Sequence, residues 1–278
     1  MTTSLKSINA LGLAGLSLGI GYALGSGKFS LIFSNKQGKE RAQHEDKDKS
    51  GSWNKRAKDP KPPESSEAWV EVYDEPRHFV EMDNEFCRII RFRFPPKDKT
   101  LFHRHSVDSF FVFFNSTRVR NEQQGHPMHE FEIEAGNAAG ACYCTEPIIH
   151  RISNLGPNWM HGLDIEIKSL KTKEYKTKPL KETRNIELIF DNKTKGGKRM
   201  RVYMLSISTG ESVKNLSFIF PKLCMCYKGG KLKVDDADGF TKEIVRYRGT
   251  YWWNAEAFKG SITNIGDSEY KVMIAEWH

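Results

Sequence analysis

The sequence predicts an all-β protein built twice over as a sandwich or barrel, and three observations carry that prediction. After Trp69 the chain runs in short apolar segments rich in Val, Ile, Phe and Tyr, several alternating with period two, as in Arg91-Phe92-Arg93-Phe94 and Phe131-Glu132-Ile133-Glu134. The segment Ile152-Ser153-Asn154-Leu155-Gly156 returns as Ile262-Thr263-Asn264-Ile265-Gly266, and Asp83-Asn84 with Cys87-Arg88-Ile89-Ile90 is answered by Asp191-Asn192 with Met200-Arg201-Val202-Tyr203. No long helical period interrupts this texture, and Ala135-Gly136, Leu155-Gly156, Thr209-Gly210 and Gly229-Gly230 mark its turns. A repeat longer than solenoid periods points to a duplicated domain.

Residues 1–34 form a hydrophobic segment. Between Lys6 and Lys28 lie 21 uncharged residues, about the length of a membrane-spanning helix, with small residues four apart at Gly15 and Gly19 and at Gly21 and Gly25. One reading is a single-pass N-terminal anchor; another is a signal peptide cleaved near Ala23-Leu24-Gly25. Lys28, Lys36, Lys39 and Arg41 follow the segment, and this positive bias puts the bulk of an anchored chain on the cytosolic side. The tripeptides starting at Asn115, Asn192 and Asn215 would instead suit a secreted or lumenal protein. Residues 35–67 are charged, Lys/Asp/Ser-rich and end in Pro60, Pro62 and Pro63, a disordered tether too polar to fold alone.

The first repeat copy occupies residues 68–168, with strands expected at 89–94, 110–114, 130–134, 148–152 and 163–167. A basic linker follows at 169–184. The second copy, residues 185–278, has strands expected at 201–207, 216–220, 223–227, 232–234 and 270–275.

Charge weighs against nucleic acid. The formal net charge is +8 over 278 residues, but residues 1–66 carry 11 Lys and Arg against 6 acids, so +5 belongs to the N-terminal quarter. The remaining +3 forms no basic stripe interleaved with aromatics. The five cysteines have neither metal-knuckle nor disulfide-framework spacing. Cys142 with Cys144, and Cys224 with Cys226, alternate on strands, so each pair shares a face and reads as small buried side chains. The pair Trp252-Trp253 is expected to pack between the two copies.

Eight of the nine histidines precede Gly162. His103 and His105, one residue apart on a strand, leave from the same face. Asp108 follows three residues later, and His150 opens another strand. Two or three imidazoles and a carboxylate converging inside a barrel can hold a divalent ion with positions left open. His126 and His129 sit in a Gly/Pro loop and read as solvated, and His161 as part of a turn. The second copy has no histidine but the terminal His278, so its interior, near Leu216, Cys224 and Cys226, is expected to be a packed core or an apolar pocket.

The run from Phe102 to Val112, then Ala135-Gly136-Asn137 and His150 to Gly156, resembles the two signature motifs of the cupin superfamily. The resemblance covers most of the first copy; the second shares the fold-bearing pattern, so the whole is similar to a bicupin. It implies two jelly-roll barrels in tandem and the metal ligands His103, His105 and His150. Cupins usually add a Glu, but Ser109 fills the nearest slot and Asp108 stands one place early, either as ligand or as orienter. The implied cofactor is a divalent metal ion, iron foremost, with Mn, Zn, Ni or Cu open. The implied function is a membrane-tethered metal-dependent oxidoreductase of dioxygenase-like kind acting on a small molecule. The alternatives are a non-catalytic cupin binding a ligand or partner at a membrane, and metal storage or sensing. Cupin barrels often pair, so a homodimer is a possible partner state.

Overall fold

The computed structural model describes residues 68–141, 143–144, 146–168, 177–193 and 199–277, with three short strands near the N-terminus, β1 (Ala23–Leu24), β2 (Gly27–Lys28) and β3 (Ser30–Ile32). Most of the expected hydrophobic helix, the tether and half of the basic linker lie outside the described residues. Among the described residues no helix is long and apolar enough to cross a membrane.

The first repeat copy supplies β4 (Trp69–Glu71), β5 (His78–Asp83), β6 (Cys87–Phe94), β7 (Phe102–His105), β8 (Ser109–Phe113), β9 (Thr117–Gln123), β10 (His129–Ile133), β11 (Ala138–Ala141), β12 (Ile148–Asn154) and β13 (Met160–Ile167). The second supplies β14 (Ile186–Lys193), β15 (Arg199–Ile207), β16 (Ser212–Phe218), β17 (Lys222–Lys228), β18 (Gly230–Asp236), β19 (Thr241–Arg246), β20 (Tyr251–Asn254), β21 (Phe258–Asn264) and β22 (Tyr270–Trp277). Every expected strand is present, mostly longer by a residue or two, because ladder hydrogen bonds extend past the apolar run that reveals a strand.

The first copy folds into facing sheets ordered β10-β9-β12-β7-β4 and β3-β11-β8-β13-β6-β5. The second repeats the order as β19-β18-β21-β16 and β20-β17-β22-β15-β14. Neighbours in space are distant in sequence, the crossing pattern of a jelly roll. The repeated Asn-x-Gly turn has the same geometry in both barrels. Asn154 and Asn264 are fully buried. Each donates from Nδ2 to a carbonyl four residues on, Asn158 at 2.8 Å and Ser268 at 2.7 Å, and each Oδ1 accepts the N–H of the glycine two residues on. The repeat visible in the sequence therefore marks a turn both barrels need.

Strand alternation divides the apolar residues between three cores. Odd-numbered β6 and β13 residues and even-numbered β8 residues, including Ile89, Leu163, Ile165, Phe110 and Val112, face Met200, Val202, Leu223, Met225 and Met273 of the second copy in one shared core. Phe92, Phe94, Val119, Ile133 and Met160 line the first barrel's interior. Tyr203, Leu205, Phe218, Cys226 and Ile274 belong to the second's. Gly162 is required where β13 crosses β6 and β8: a Cβ there would meet Phe92 Cζ and the Val112 carbonyl oxygen, each at 2.3 Å.

Several expectations are corrected. Trp253 packs between the barrels, 5.1 Å from Phe86 and 5.4 Å from Trp277 between ring centroids. Trp252 turns into the second barrel instead, because neighbours on a strand face opposite ways. His161 lies within β13, not in a turn, where its ring packs on Phe114 and meets Arg91 Nη1 at 2.8 Å. His129 opens β10 and, like His126, is half-buried. Cys87, Cys224 and Cys226 are free thiols. Cys224 and Cys226 share the second barrel's interior face, as their alternation requires.

Candidate metal centre

His103 and His105 lie on β7, and His150 lies on β12 directly opposite His103 in the antiparallel ladder. Alternation turns all three inward, where one nitrogen of each lies within 4.8 Å of the others'. They are 1%, 1% and 8% exposed. His103 Nε2 and His150 Nε2 are 3.1 Å apart.

The remaining nitrogens are held from outside. His103 Nδ1 lies 3.0 Å from the Leu101 carbonyl, His150 Nδ1 3.1 Å from Asn121 Oδ1, and His105 Nδ1 3.2 Å from Asp164 Oδ2. A carbonyl oxygen can only accept, so Leu101 and Asn121 draw the protons of His103 and His150 to Nδ1 and leave their Nε2 atoms for a shared cation. Burial, then the neighbouring imidazoles, pushes His103 and His150 well below the ordinary histidine range. Rings kept neutral in this way are ready to bind a cation.

The residues fit a metal ion on a further count. Asp164 is fully buried and neither carboxylate oxygen has a hydrogen bond. An orphaned buried carboxylate is costly. A cation held by the trio, one imidazole away, would offset that cost.

Asp108, the other ligand expected from the sequence, is turned elsewhere. Its carboxylate accepts from the Cys144 N–H at 2.9 Å and lies 3.0 Å from Cys144 Sγ, and it is not part of the close imidazole group. Ser109 Oγ donates to the Val107 carbonyl at 3.1 Å. Asp164, beside His105, comes from β13, a strand the histidine motifs do not include. Burial, then the Asp164 charge, raises the Glu166 carboxyl to about 7, although it accepts from Tyr73 Oη at 2.6 Å and from Arg88 at 3.0 Å.

Sequence reasoning also missed His78, whose ring centroid lies 4.6 Å from that of His103. Its Nδ1 meets Glu75 Oε2 at 2.7 Å. Burial works to raise the Glu75 carboxyl, but His78 and the N–H groups of Leu101 and Arg77 hold it below the usual range. A lone histidine carries no spacing signal; the repeat register does. Aligned on Asn154 and Asn264, the cross-strand pairs place His78, His103, His105 and His150 on Ile186, Leu216, Phe218 and Gly260. Asp164 and Asn121 fall on Ile274 and Val234. The second barrel has lost the imidazoles together with the side chains that orient them.

No family model matches the sequence, and no curated protein does. Among solved structures the chain is similar to oxalate decarboxylase from Bacillus subtilis, with 12% identity over 69% of each chain and a TM-score of 0.47. It is similar to Lactobacillus farciminis oxalate decarboxylase in its formate complex, with 10% identity over 69% of this chain and 77% of that one and a TM-score of 0.48. A cupin 2 conserved barrel domain protein from Leptotrichia buccalis is similar at 12% identity over 72% of this chain and 88% of that one, with a TM-score of 0.44. Among the described residues, a three-histidine group occupies the first barrel.

Proposed function

We propose that the first barrel is a metal-dependent oxidoreductase site of dioxygenase-like kind for a small molecule. The observation that carries the reading is the trio itself: three inward imidazoles, one nitrogen of each within 4.8 Å of the others', with the Nδ1 atoms of His103 and His150 hydrogen-bonded from outside and the Asp164 carboxylate beside His105. Three imidazoles without a carboxylate suit iron, zinc, copper or nickel better than manganese, and iron is our first choice. When bound, the ion supplies a Lewis-acidic centre with positions open to small ligands.

The chain's own residues shape the rest. Phe92, Phe111, Phe113 and Ile152 wall the interior and exclude water. Glu75 holds His78 beside the trio, so that its Nδ1 proton lies toward Oε2. Glu166, raised toward neutrality, can carry a proton where an ordinary carboxylate would not.

Elemental analysis of the purified full chain tests the reading. One equivalent of a first-row divalent metal is expected, lost in the His103→Ala/His105→Ala double variant. Absence of stoichiometric metal after loading, or unchanged metal in the variant, overturns it. The absence of a carboxylate from the Ser109 slot favours one second reading, a metal-holding barrel that binds a ligand without turnover. Consumption of oxygen or of a bound compound by the loaded protein would count against that second reading. The membrane tether is part of the proposal, resting on the uncharged stretch at residues 7–27; a chain that fractionates as soluble while retaining this stretch would sink it.

A further inference from the structure

The second barrel carries a site of opposite electrostatic logic at the corresponding place. Ser109 lies opposite Glu166 in the first barrel, and the residue opposite the equivalent Glu276 in the second is Lys222. Lys222 points inward and is 3% exposed. Its ammonium donates to the carbonyls of Phe220 at 3.4 Å and Glu256 at 2.5 Å, with no carboxylate in salt-bridge range among the described residues. Glu276 compensates weakly, because burial pushes its carboxyl up to about 7.

Lys222 lines a cavity of about 160 Å³ that Lys242 and Arg246 also border. The Arg246 guanidinium lies 4.1 Å from the Trp252 ring centroid, and its Nε is buried without a hydrogen-bond partner. Asp236 is the one acid on the wall, and its Oδ1 is engaged by the N–H groups of Asp238 and Phe240. Leu216, Phe218 and Gly260 stand in place of the imidazoles. A buried ammonium and a half-buried guanidinium short of counter-charge, beside apolar walls, call for an anion with an apolar body.

We propose that the second barrel binds a small organic monoanion, its carboxylate at Lys222 and Arg246 and its apolar body against Phe218, Leu232 and Trp252. An engineered cavity of about 150 Å³ accepts benzene, which sets the scale at one ring or a chain of about six carbons. The positive charge that a metal would supply in the first barrel is built into the protein in the second.

Calorimetric and NMR titration of the full chain with benzoate and hexanoate tests this, with benzamide and benzylamine as neutral and cationic counterparts. One equivalent of either carboxylate should bind in the millimolar range or tighter, about tenfold better than benzamide, while benzylamine should not bind. Arg246→Gln, at a half-exposed position that leaves the fold intact, should weaken benzoate about tenfold and spare benzamide. Lys222→Met should do the same if folded by circular dichroism, and His103→Ala should change nothing. Equal affinity for benzoate and benzamide, no carboxylate binding at millimolar concentration, or indifference to Arg246→Gln would each overturn the proposal. Loss of benzoate binding in His103→Ala would also overturn it, by placing the anion in the first barrel.

Discussion

Asp164 Oδ2 lies 3.2 Å from Nδ1 of His105, with both side chains buried in the first barrel's interior. A carboxylate behind a metal-binding imidazole fixes the ring and raises its basicity, and removing such a partner typically costs about 10–100-fold in metal affinity. Asp164→Asn should therefore weaken metal binding by that order in a chelator competition. The metal-free variant should be no less stable than the parent, because an orphaned buried charge has been removed. Unchanged affinity would reduce Asp164 to a packing role.

The metal-free protein should show a pH signature that belongs to the trio. Burial lowers His103 and His150 well below 6.5, so between those lowered values and about 6.5 the unfolded chain binds more protons and stability rises with pH. Glu166 acts in the other direction: raised from 4.5 to about 7, it favours the folded state at acidic pH and loses that advantage as pH rises through 7. Substituting His103 and His150 by Ala removes the rising component. The stability of the double variant relative to the parent should thus be greater near about pH 5 than near about pH 7.5 in urea titrations. A pH-independent difference would show that the imidazoles are not held neutral.

The crossing at Gly162 leaves no room for a side chain, since Phe92 and the Val112 carbonyl occupy the space of a Cβ. Gly162→Ala should cost about 3 kcal/mol of unfolding free energy through overpacking. It should also reduce metal content, because Asp164 lies two residues along the same strand. A loss below about 0.5 kcal/mol would mean that the strands separate more easily than the packing implies.

The two barrels should unfold together. Ile89, Phe110, Leu163 and Ile165 bury against Val202, Leu223, Met225 and Met273 in a shared core. Leu223→Ala should lower stability by about 3 kcal/mol while preserving a single transition in calorimetry. A fragment covering residues 68–184 alone would expose this face and should self-associate in size-exclusion chromatography. Two separate transitions in the intact chain would contradict a common core.

Sequence-local information went far with the strands and less far with the site. Alternation at Arg91-Phe92-Arg93-Phe94 and the returning Asn-x-Gly segments were readable because period and turn chemistry act within a few residues. His103, His105 and His150 were readable because spacing on one strand and a signature on another mark them. Asp108 was singled out by its place in the sequence, whereas the contact of its carboxylate with Cys144 could be seen only in three dimensions. His78 and Asp164 carry no local pattern, since β5 and β13 reach the trio only through sheet order.

The sequence by itself determined the duplication, the all-β texture and the confinement of the imidazoles to one copy, for these follow from residue type and spacing along one dimension. The tertiary structure decided which residues stand behind the ligands, that one core is shared, and that Lys222 occupies the place of Ser109. Those facts depend on which strands become neighbours, and non-local pairing in a jelly roll sets that order across gaps of tens of residues.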